Sequence, residues 1–434
     1  MDRKHWNPEI ETLARERLRD LQSERLIHQV NWVYKNSPFF REFYDAHNVK
    51  PSDIESIDDI VKLPIMGKDD LRAFRAKAND PFCGTLCVPV GDLIKVHKST
   101  GTSGDPNTFG LNRADWDQAS ENFARMLWRT GIRPGFRTNN WLEAAMTWHG
   151  YSMTAIGARK IGATVFTLEP DNRSVVQTNL ELLAGADLNA IFIYHPEIEV
   201  GYIRQKQLKP TEIHPNLQFI YSAFLCTDAR RKILEETWGV PYKNMGASGD
   251  QYIPCSECEY SAPAHHYLED QFFVEAVDSE TLERLPEGQE GELILTNLWA
   301  ESNPLLRYRM EDVVRINSDP CACGSTHARV TYRGRYAWSV QVGERRVFSD
   351  DVENIIWSKP ETEFAAYQLL KSRTQPQKVL KVRTTVPGTN RPNLATELAD
   401  GLTESLGVPT EVQIVDASEI AVGTVKFVRV AVED

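Results

Sequence analysis

Lys98-Ser99-Thr100-Gly101-Thr102-Ser103-Gly104-Asp105-Pro106 is the stretch on which the reading of this chain turns. It follows Asp92-Leu93-Ile94-Lys95-Val96-His97, whose alternating apolar residues predict a strand. Four hydroxyl side chains and two glycines lie between that strand and a proline. Glycine lets backbone N–H groups approach a polyphosphate closely, and Ser and Thr add donors without bulk. The plainer reading is a surface loop, because Gly/Ser/Thr clusters commonly join elements. The G-x-x-x-x-G-K-[ST] pattern of a Walker A loop is absent.

The chain as a whole narrows the choice. Its 434 residues predict two domains or more, and 41% hydrophobic with 25% charged residues is ordinary for a globular protein. A net charge of −12 argues against nucleic acid or an anionic membrane as the main partner, though not against a small anion in a local basic pocket. No apolar run approaches a membrane span, and Met1-Asp2-Arg3-Lys4-His5-Trp6-Asn7-Pro8-Glu9 lacks a signal-peptide core, so a cytoplasmic protein is expected. Seven cysteines, an odd number, argue against a disulfide framework.

Apolar residues at helical spacing from about Ile10 to Tyr34 predict an amphipathic helix, broken at Ser37-Pro38. From about Val88 to Val165 strand-like and helix-like runs alternate, with a helix expected from Ala114 to Thr130. That alternation predicts a parallel sheet covered by helices, continuing through Ala190–Tyr194 and Phe219–Tyr221. After about Gln251 the strands Phe272–Val277, Gly291–Thr296 and Val313–Ile316 follow one another through turns, which predicts an antiparallel section. The last hundred residues read as a separate α+β unit.

Four cysteines cluster as Cys255-Ser256-Glu257-Cys258 and Cys321-Ala322-Cys323-Gly324, with His265 and His266 between them. Two thiolate pairs, or three thiolates and an imidazole, satisfy tetrahedral zinc. Four of Cys255, Cys258, His266, Cys321 and Cys323 are therefore expected to form a closed, structural Zn²⁺ site. The alternative is four reduced thiols without metal. Cys83, Cys87 and Cys226 read as core or incidental residues.

Several stretches, taken in order, resemble the phenylacetate–CoA ligases of the adenylate-forming acyl- and aryl-CoA synthetase superfamily. They are Tyr34-Lys35-Asn36-Ser37-Pro38-Phe39-Phe40, Leu63-Pro64-Ile65-Met66-Gly67-Lys68-Asp69-Asp70-Leu71-Arg72, the opening stretch, and His266-Tyr267-Leu268-Glu269-Asp270. Gly288-Gln289-Glu290-Gly291-Glu292-Leu293, Arg307-Tyr308-Arg309-Met310-Glu311-Asp312 and Asp319-Pro320-Cys321-Ala322-Cys323-Gly324 complete the set.

The resemblance implies an α/β fold: a large N-terminal adenylating domain (1–333, mixed parallel sheets plus an antiparallel section, with the zinc staple) and a small mobile C-terminal α+β lid (334–434). It implies that ATP with Mg²⁺ activates an aromatic acid as acyl-AMP, which then passes to coenzyme A. Ser99, Thr100, Gly101, Thr102, Ser103 and Gly104 would hold the phosphates, and Ser248 and Asp250 would serve the nucleotide and its Mg²⁺. Asp312 would accept both ribose hydroxyls, Arg335 would face the nucleotide, and Lys426 would be the mobile lysine of adenylation. Trp141, His149, Tyr194 and Ala247 are expected to line the acid pocket. A homodimer is carried as a further expectation.

The departures from the family pattern fall in these same motifs. The usual loop lysine is Asp105, and the glutamate expected to hold Mg²⁺ is Gly249. Asp250, or else Glu269 or Asp270, would have to take its place. A Gly-Ala-Glu block is replaced by Ser222-Ala223-Phe224, the acidic hinge by Tyr336-Ala337-Trp338, and the glycine before Lys426 by Val425. The region at Gly343-Glu344, where an Arg-Gly is usual, is also disturbed. These changes leave two alternatives beside the aryl-CoA ligase: an adenylating enzyme with an amine or other non-CoA acceptor, and a non-catalytic ligand-binding homologue.

Overall fold

A computed structural model describes residues 4–99, 106–141, 149–168, 183–194, 196–223, 226–248, 250, 252–373, 376–386, 392–420 and 429–433. The chain divides into two compact units. One comprises residues 1–224, 238–310 and 314–331; the other comprises 225–237, 311–313 and 332–434.

In the first unit the expected N-terminal helix is interrupted. A short turn of helix, Pro8–Glu11, precedes the long helix Arg15–Asn36, which ends at the extended Ser37. Ser37 then caps the next helix, Pro38–Ala46, accepting from the Phe40 amide at 3.2 Å, while Pro38 sits where no helical N–H is needed. Leu18, Leu26, Val30 and Val33 form the buried stripe of the long helix.

The opening strand does not join the parallel sheet that the sequence predicts there. β1 (Lys95–Lys98) pairs antiparallel with β2 (Thr108–Leu111) in a separate two-stranded sheet, in the register His97↔Phe109 and Lys98↔Thr108. The intervening stretch is thus a hairpin connection. The parallel run begins one element later, with β3 (Arg137–Trp141), β4 (Thr164–Leu168), β5 (Ala190–Phe192), β6 (Phe219–Ser222) and β7 (Tyr242–Ser248).

From β7 the sheet turns antiparallel through β8 (Ile253–Ser256) and β9 (His265–His266). It continues with β10 (Phe272–Val277), β11 (Glu290–Asn297), β12 (Tyr308–Asn317) and β13 (Arg329–Arg335). Among the described residues the order is β10-β11-β12-β13-β9-β8-β7-β6-β5-β3-β4. The helix Arg113–Thr130 packs against His149–Ile161 closely enough that a Cβ on Gly157 would sit 2.8 Å from the Phe123 carbonyl carbon. Phe123, Met126, Leu127, Phe192 and Tyr221 make the core on which that pair rests.

In the second unit, β14 (Ser339–Val342) and β15 (Arg345–Phe348) form a hairpin. A four-stranded sheet follows, built from β16 (Tyr367–Lys371), β17 (Leu380–Thr384), β18 (Thr410–Ile414) and β19 (Val430–Val432) in the order β18-β17-β16-β19. The helix Leu394–Leu406 presents Leu394, Leu398, Leu402 and Leu406 as one buried face, four residues apart each time. No helix among the described residues is long and apolar enough to cross a membrane.

Candidate active site

Parallel strands present their carboxyl ends along one edge, where backbone groups and loops converge on ligands. Four of the residues singled out above lie at or just past such ends: Trp141 on β3, Tyr194 two residues after β5, and Ala247 and Ser248 on β7. The register Phe192↔Tyr221 and Ser222↔Asn244 brings Ser222, in the altered block, to the same edge. Residues distant in sequence thus become neighbours through strand order alone. Tyr194 is also a core residue, buried with Phe192, Tyr221 and Met245, and its amide donates to Glu199 Oε1 at 3.3 Å. His149 begins the helix that follows β3.

β7 is also where the sheet switches direction, pairing parallel with β6 and antiparallel with β8. Asp250 and Tyr252 lie in the connection between β7 and β8. The Tyr308 hydroxyl donates to Asp250 Oδ2 at 3.3 Å, and the Tyr252 hydroxyl donates to the Gly110 carbonyl of β2 at 2.9 Å. The neck of the opening stretch closes through two bonds: the Ser99 amide to the Asn107 carbonyl at 2.9 Å, and the Asn107 amide to Ser99 Oγ at 3.0 Å. Thr100, Gly101, Thr102, Ser103, Gly104, Asp105, Gly249 and Lys426 lie outside the described residues.

Asp312 and Arg335, both in the second unit, pair directly, Arg335 Nε donating to Asp312 Oδ1 at 2.9 Å. The guanidinium also lies over the Trp338 ring at 5.4 Å. Sequence reading assigned the two residues separately and gave no sign of the pair.

Glu269 and Asp270, the reserve candidates for Mg²⁺, are committed elsewhere, which corrects that expectation. Arg125 grips Asp270 with two bonds of 3.0 and 2.8 Å, and Arg25 stands 3.7 Å away. Glu269 accepts from the Arg15 guanidinium and from the Ala328 amide at 2.5 Å. Both carboxylates are almost wholly buried, and arginines already meet their charge.

The structure brings Cys258, His266, Cys321 and Cys323 together, all buried, with their donor atoms within 4.8 Å of one another. Cys258 and Cys321 sulfurs are 3.6 Å apart, and Cys323 Sγ lies 3.6 Å from His266 Nε2. Ligands on tetrahedral zinc with arms of about 2.3 Å stand roughly 3.8 Å apart, so this set fits the metal. The outer shell fits as well. His266 Nδ1 faces the His327 carbonyl at 3.1 Å, which leaves Nε2 as the donor toward the cluster. The amides of Tyr260 and Ser325 each donate to a sulfur at 3.4 Å. A hydrogen bond from Cys323 pulls the Cys258 thiol far below its ordinary range, and the same pairing pushes Cys323 up.

Cys255 is not among the four. It lies opposite Gly246 in the β7–β8 register, with its sulfur 3.8 Å from His265 Nδ1. Neighbouring residues on a strand point to opposite faces, so β9 sends His266 to the cluster and His265 to Cys255. Burial pushes the Cys87 thiol up to about 12, in keeping with an inert core residue.

Comparison with known proteins bears on this geometry. The phenylacetate–coenzyme A ligase of Thermus thermophilus is 31% identical over 390 residues, covering 88% of this chain and 85% of that protein. The chain belongs to the phenylacetate–CoA ligase family. The Escherichia coli phenylacetate–coenzyme A ligase, another relative, is 28% identical over 318 residues, covering 71% of this chain and 69% of that one. No family model matches. Among solved structures, a 2-hydroxyisobutyryl-CoA ligase in complex with 2-HIB-AMP superposes with a TM-score of 0.89 at 22% identity, covering 100% of this chain and 93% of that one. An anthranilate CoA ligase in complex with anthranoyl-AMP gives a TM-score of 0.59 at 17% identity over 78% of this chain and 66% of that one. The first shares the fold along the whole chain and the second over most of it.

Proposed function

We propose that this phenylacetate–CoA ligase family member joins an aromatic carboxylic acid to coenzyme A at the expense of ATP, forming AMP and pyrophosphate. The carboxylate oxygen attacks the α-phosphorus, the bond to pyrophosphate breaks with its electron pair, and acyl-AMP forms. The coenzyme A sulfur then attacks the acyl carbon, AMP leaves with the carbon–oxygen electron pair, and the thiol proton passes to solvent. The observation that carries this reading is a 31% match to a phenylacetate–coenzyme A ligase across 88% of the chain.

Roles follow from the chemistry each group can perform. Ser99–Gly104 supply backbone and hydroxyl donors to the phosphates, and Asp250 supplies the carboxylate for Mg²⁺, which screens the charge between the two anions as they meet. Ser248 lies beside them in sequence. Asp312 offers two oxygens to the ribose hydroxyls, with Arg335 holding its orientation, and Lys426 supplies a cation during adenylation. Trp141, His149, Tyr194 and Ala247 are of residue types that suit a pocket for a flat acid. Cys258, His266, Cys321 and Cys323 would hold a structural Zn²⁺ that ties β9 to the turn before β13; no step of the reaction passes through it.

Exchange of labelled pyrophosphate into ATP, measured with phenylacetate, benzoates and aminobenzoates, tests the reading. Acid-dependent exchange followed by thioester formation with free coenzyme A supports it. Exchange without thioester would instead favour a non-CoA acceptor, and no exchange with any acid would reject ligase activity.

A further inference from the structure

Tyr252 stands in an unusual position for a bulky residue. Its backbone is left-handed, with φ of 54°, a region that side chains with a Cβ seldom occupy unless their surroundings fix them there. The surroundings here are specific. The ring is fully buried, the His97 ring of β1 meets it edge-on at 5.1 Å, and the Trp299 ring meets its other side at 6.3 Å. The hydroxyl bonds the Gly110 carbonyl, while the Gly110 amide donates to Asn303 Oδ1 at 2.7 Å, so that both backbone polar groups of this β2 residue are held by side chains.

A two-stranded hairpin is barely stable in water by itself, so β1 and β2 depend on what they pack against. Part of what they pack against is the connection that carries Asp250, two residues before Tyr252 and itself held by Tyr308. The contact falls at the His97↔Phe109 pair, two residues below the Ser99–Asn107 neck.

We propose that Tyr252 is a positioning residue for the nucleotide, fixing the separation between the hairpin neck at Ser99 and the Asp250 carboxylate. This rests on the ATP-dependent reading above. Through that phenol the neck at Ser99 and the Asp250 carboxylate move as a single piece.

Tyr252→Phe removes only the hydroxyl and keeps the ring packing. In pyrophosphate exchange with phenylacetate, it raises the KM for ATP and the Mg²⁺ concentration for half-maximal rate by about 3- to 10-fold, the worth of one buried hydrogen bond, and leaves the KM for phenylacetate within about twofold. Tyr252→Leu, which also removes the ring contacts, moves the ATP and Mg²⁺ values further in the same direction. Tyr367→Phe removes a buried phenol from the second unit and serves as the control for general loosening. An unchanged ATP KM in Tyr252→Phe, or ATP and phenylacetate KM values that rise together as they do in Tyr367→Phe, overturns the inference and leaves the ligase reading standing. Wild-type protein that exchanges with no acid removes both.

Discussion

Each unit buries an ionic hub, and the two are built differently. In the first, Asp270 and Glu11 face Arg125 and Arg129: Arg125 binds Asp270 through two bonds, and Arg129 lies 2.9 Å from Glu11. In the second, one carboxylate serves two arginines. Glu353 accepts from Arg230 at 3.2 Å and Arg429 at 3.2 Å, as well as from Thr227 at 2.9 Å and Tyr367 at 3.0 Å. The first hub closes as matched pairs, and the structural element it serves lies beside it. His327 accepts the Glu269 amide on Nδ1 and reaches the Ile10 carbonyl with Nε2, while its own carbonyl orients His266 of the cysteine cluster. Beside the second hub sits Asp350, an acid whose charge is opposed by burial and by Glu353. The two hubs therefore respond to pH differently.

The largest break in this comparison comes from Asp270→Ala, which strands Arg125 in a buried site and costs about 3–5 kcal/mol in denaturant unfolding. Next is Cys323→Ser, or a strong chelator. If Cys258, His266, Cys321 and Cys323 hold zinc, either treatment releases about one metal ion per chain by elemental analysis and lowers the melting temperature of the first unit, because binding energy in such a site is folding energy. Glu353→Gln leaves two arginines facing a neutral amide and costs about 2–3 kcal/mol, less than the Asp270 change because the amide oxygen still accepts one bond. Calorimetry is expected to show that loss in the transition of the second unit.

The pH response sharpens the contrast. Burial opposes the Asp270 charge, but Arg125 outweighs it and holds the carboxyl well below the ordinary 3.8. Such a group adds stability above pH 3.8 and loses it as the pH falls, so Asp270 adds no pH dependence between pH 5 and 7. His327 beside it, held below 6.5 by burial, instead loses its contribution as the pH falls below about 6.5. Burial, with Glu353 adding to it, pushes half-buried Asp350 up to about 7. An acid raised in this way binds its proton more tightly folded than unfolded. Its contribution is therefore lost as the pH rises from about 4 to about 7 and is constant above that. Asp350→Asn is expected to flatten the fall in stability of the second unit over that range; an unchanged slope would show that another group carries it. The smallest effect belongs to Arg25→Ala: its part-buried guanidinium donates to the Asp270 carbonyl and stands 3.7 Å from the carboxylate, and its loss costs about 1–2 kcal/mol in the same denaturant assay.

The helices and strands were largely legible because their signals are local. Arg113–Thr130 falls within one residue of the expected start, since Asn112 caps it by accepting the Asp115 amide at 2.8 Å and Gly131 ends it at φ 124°. Strand partners were less legible. Alternating apolar residues near Lys95–Lys98 announce a strand without naming its neighbour, and the antiparallel β1–β2 hairpin replaced the expected parallel pairing. The same limit governed the site. Residue types at Glu269 and Asp270 suit a cation, and only the arrival of Arg125, Arg25 and Arg15 from distant helices revealed their use. Tyr252 carried no motif signal at all; its importance lies in a contact 142 residues away in the chain.

The sequence by itself determined the family and the order of the motifs, because those depend on residue type and local spacing. The tertiary structure decided which cysteine leaves the metal set, because strand alternation sends Cys255 toward His265 and away from His266. It also decided what each charged group faces, since partners in the folded chain are set by strand order and helix packing, on which local sequence is silent.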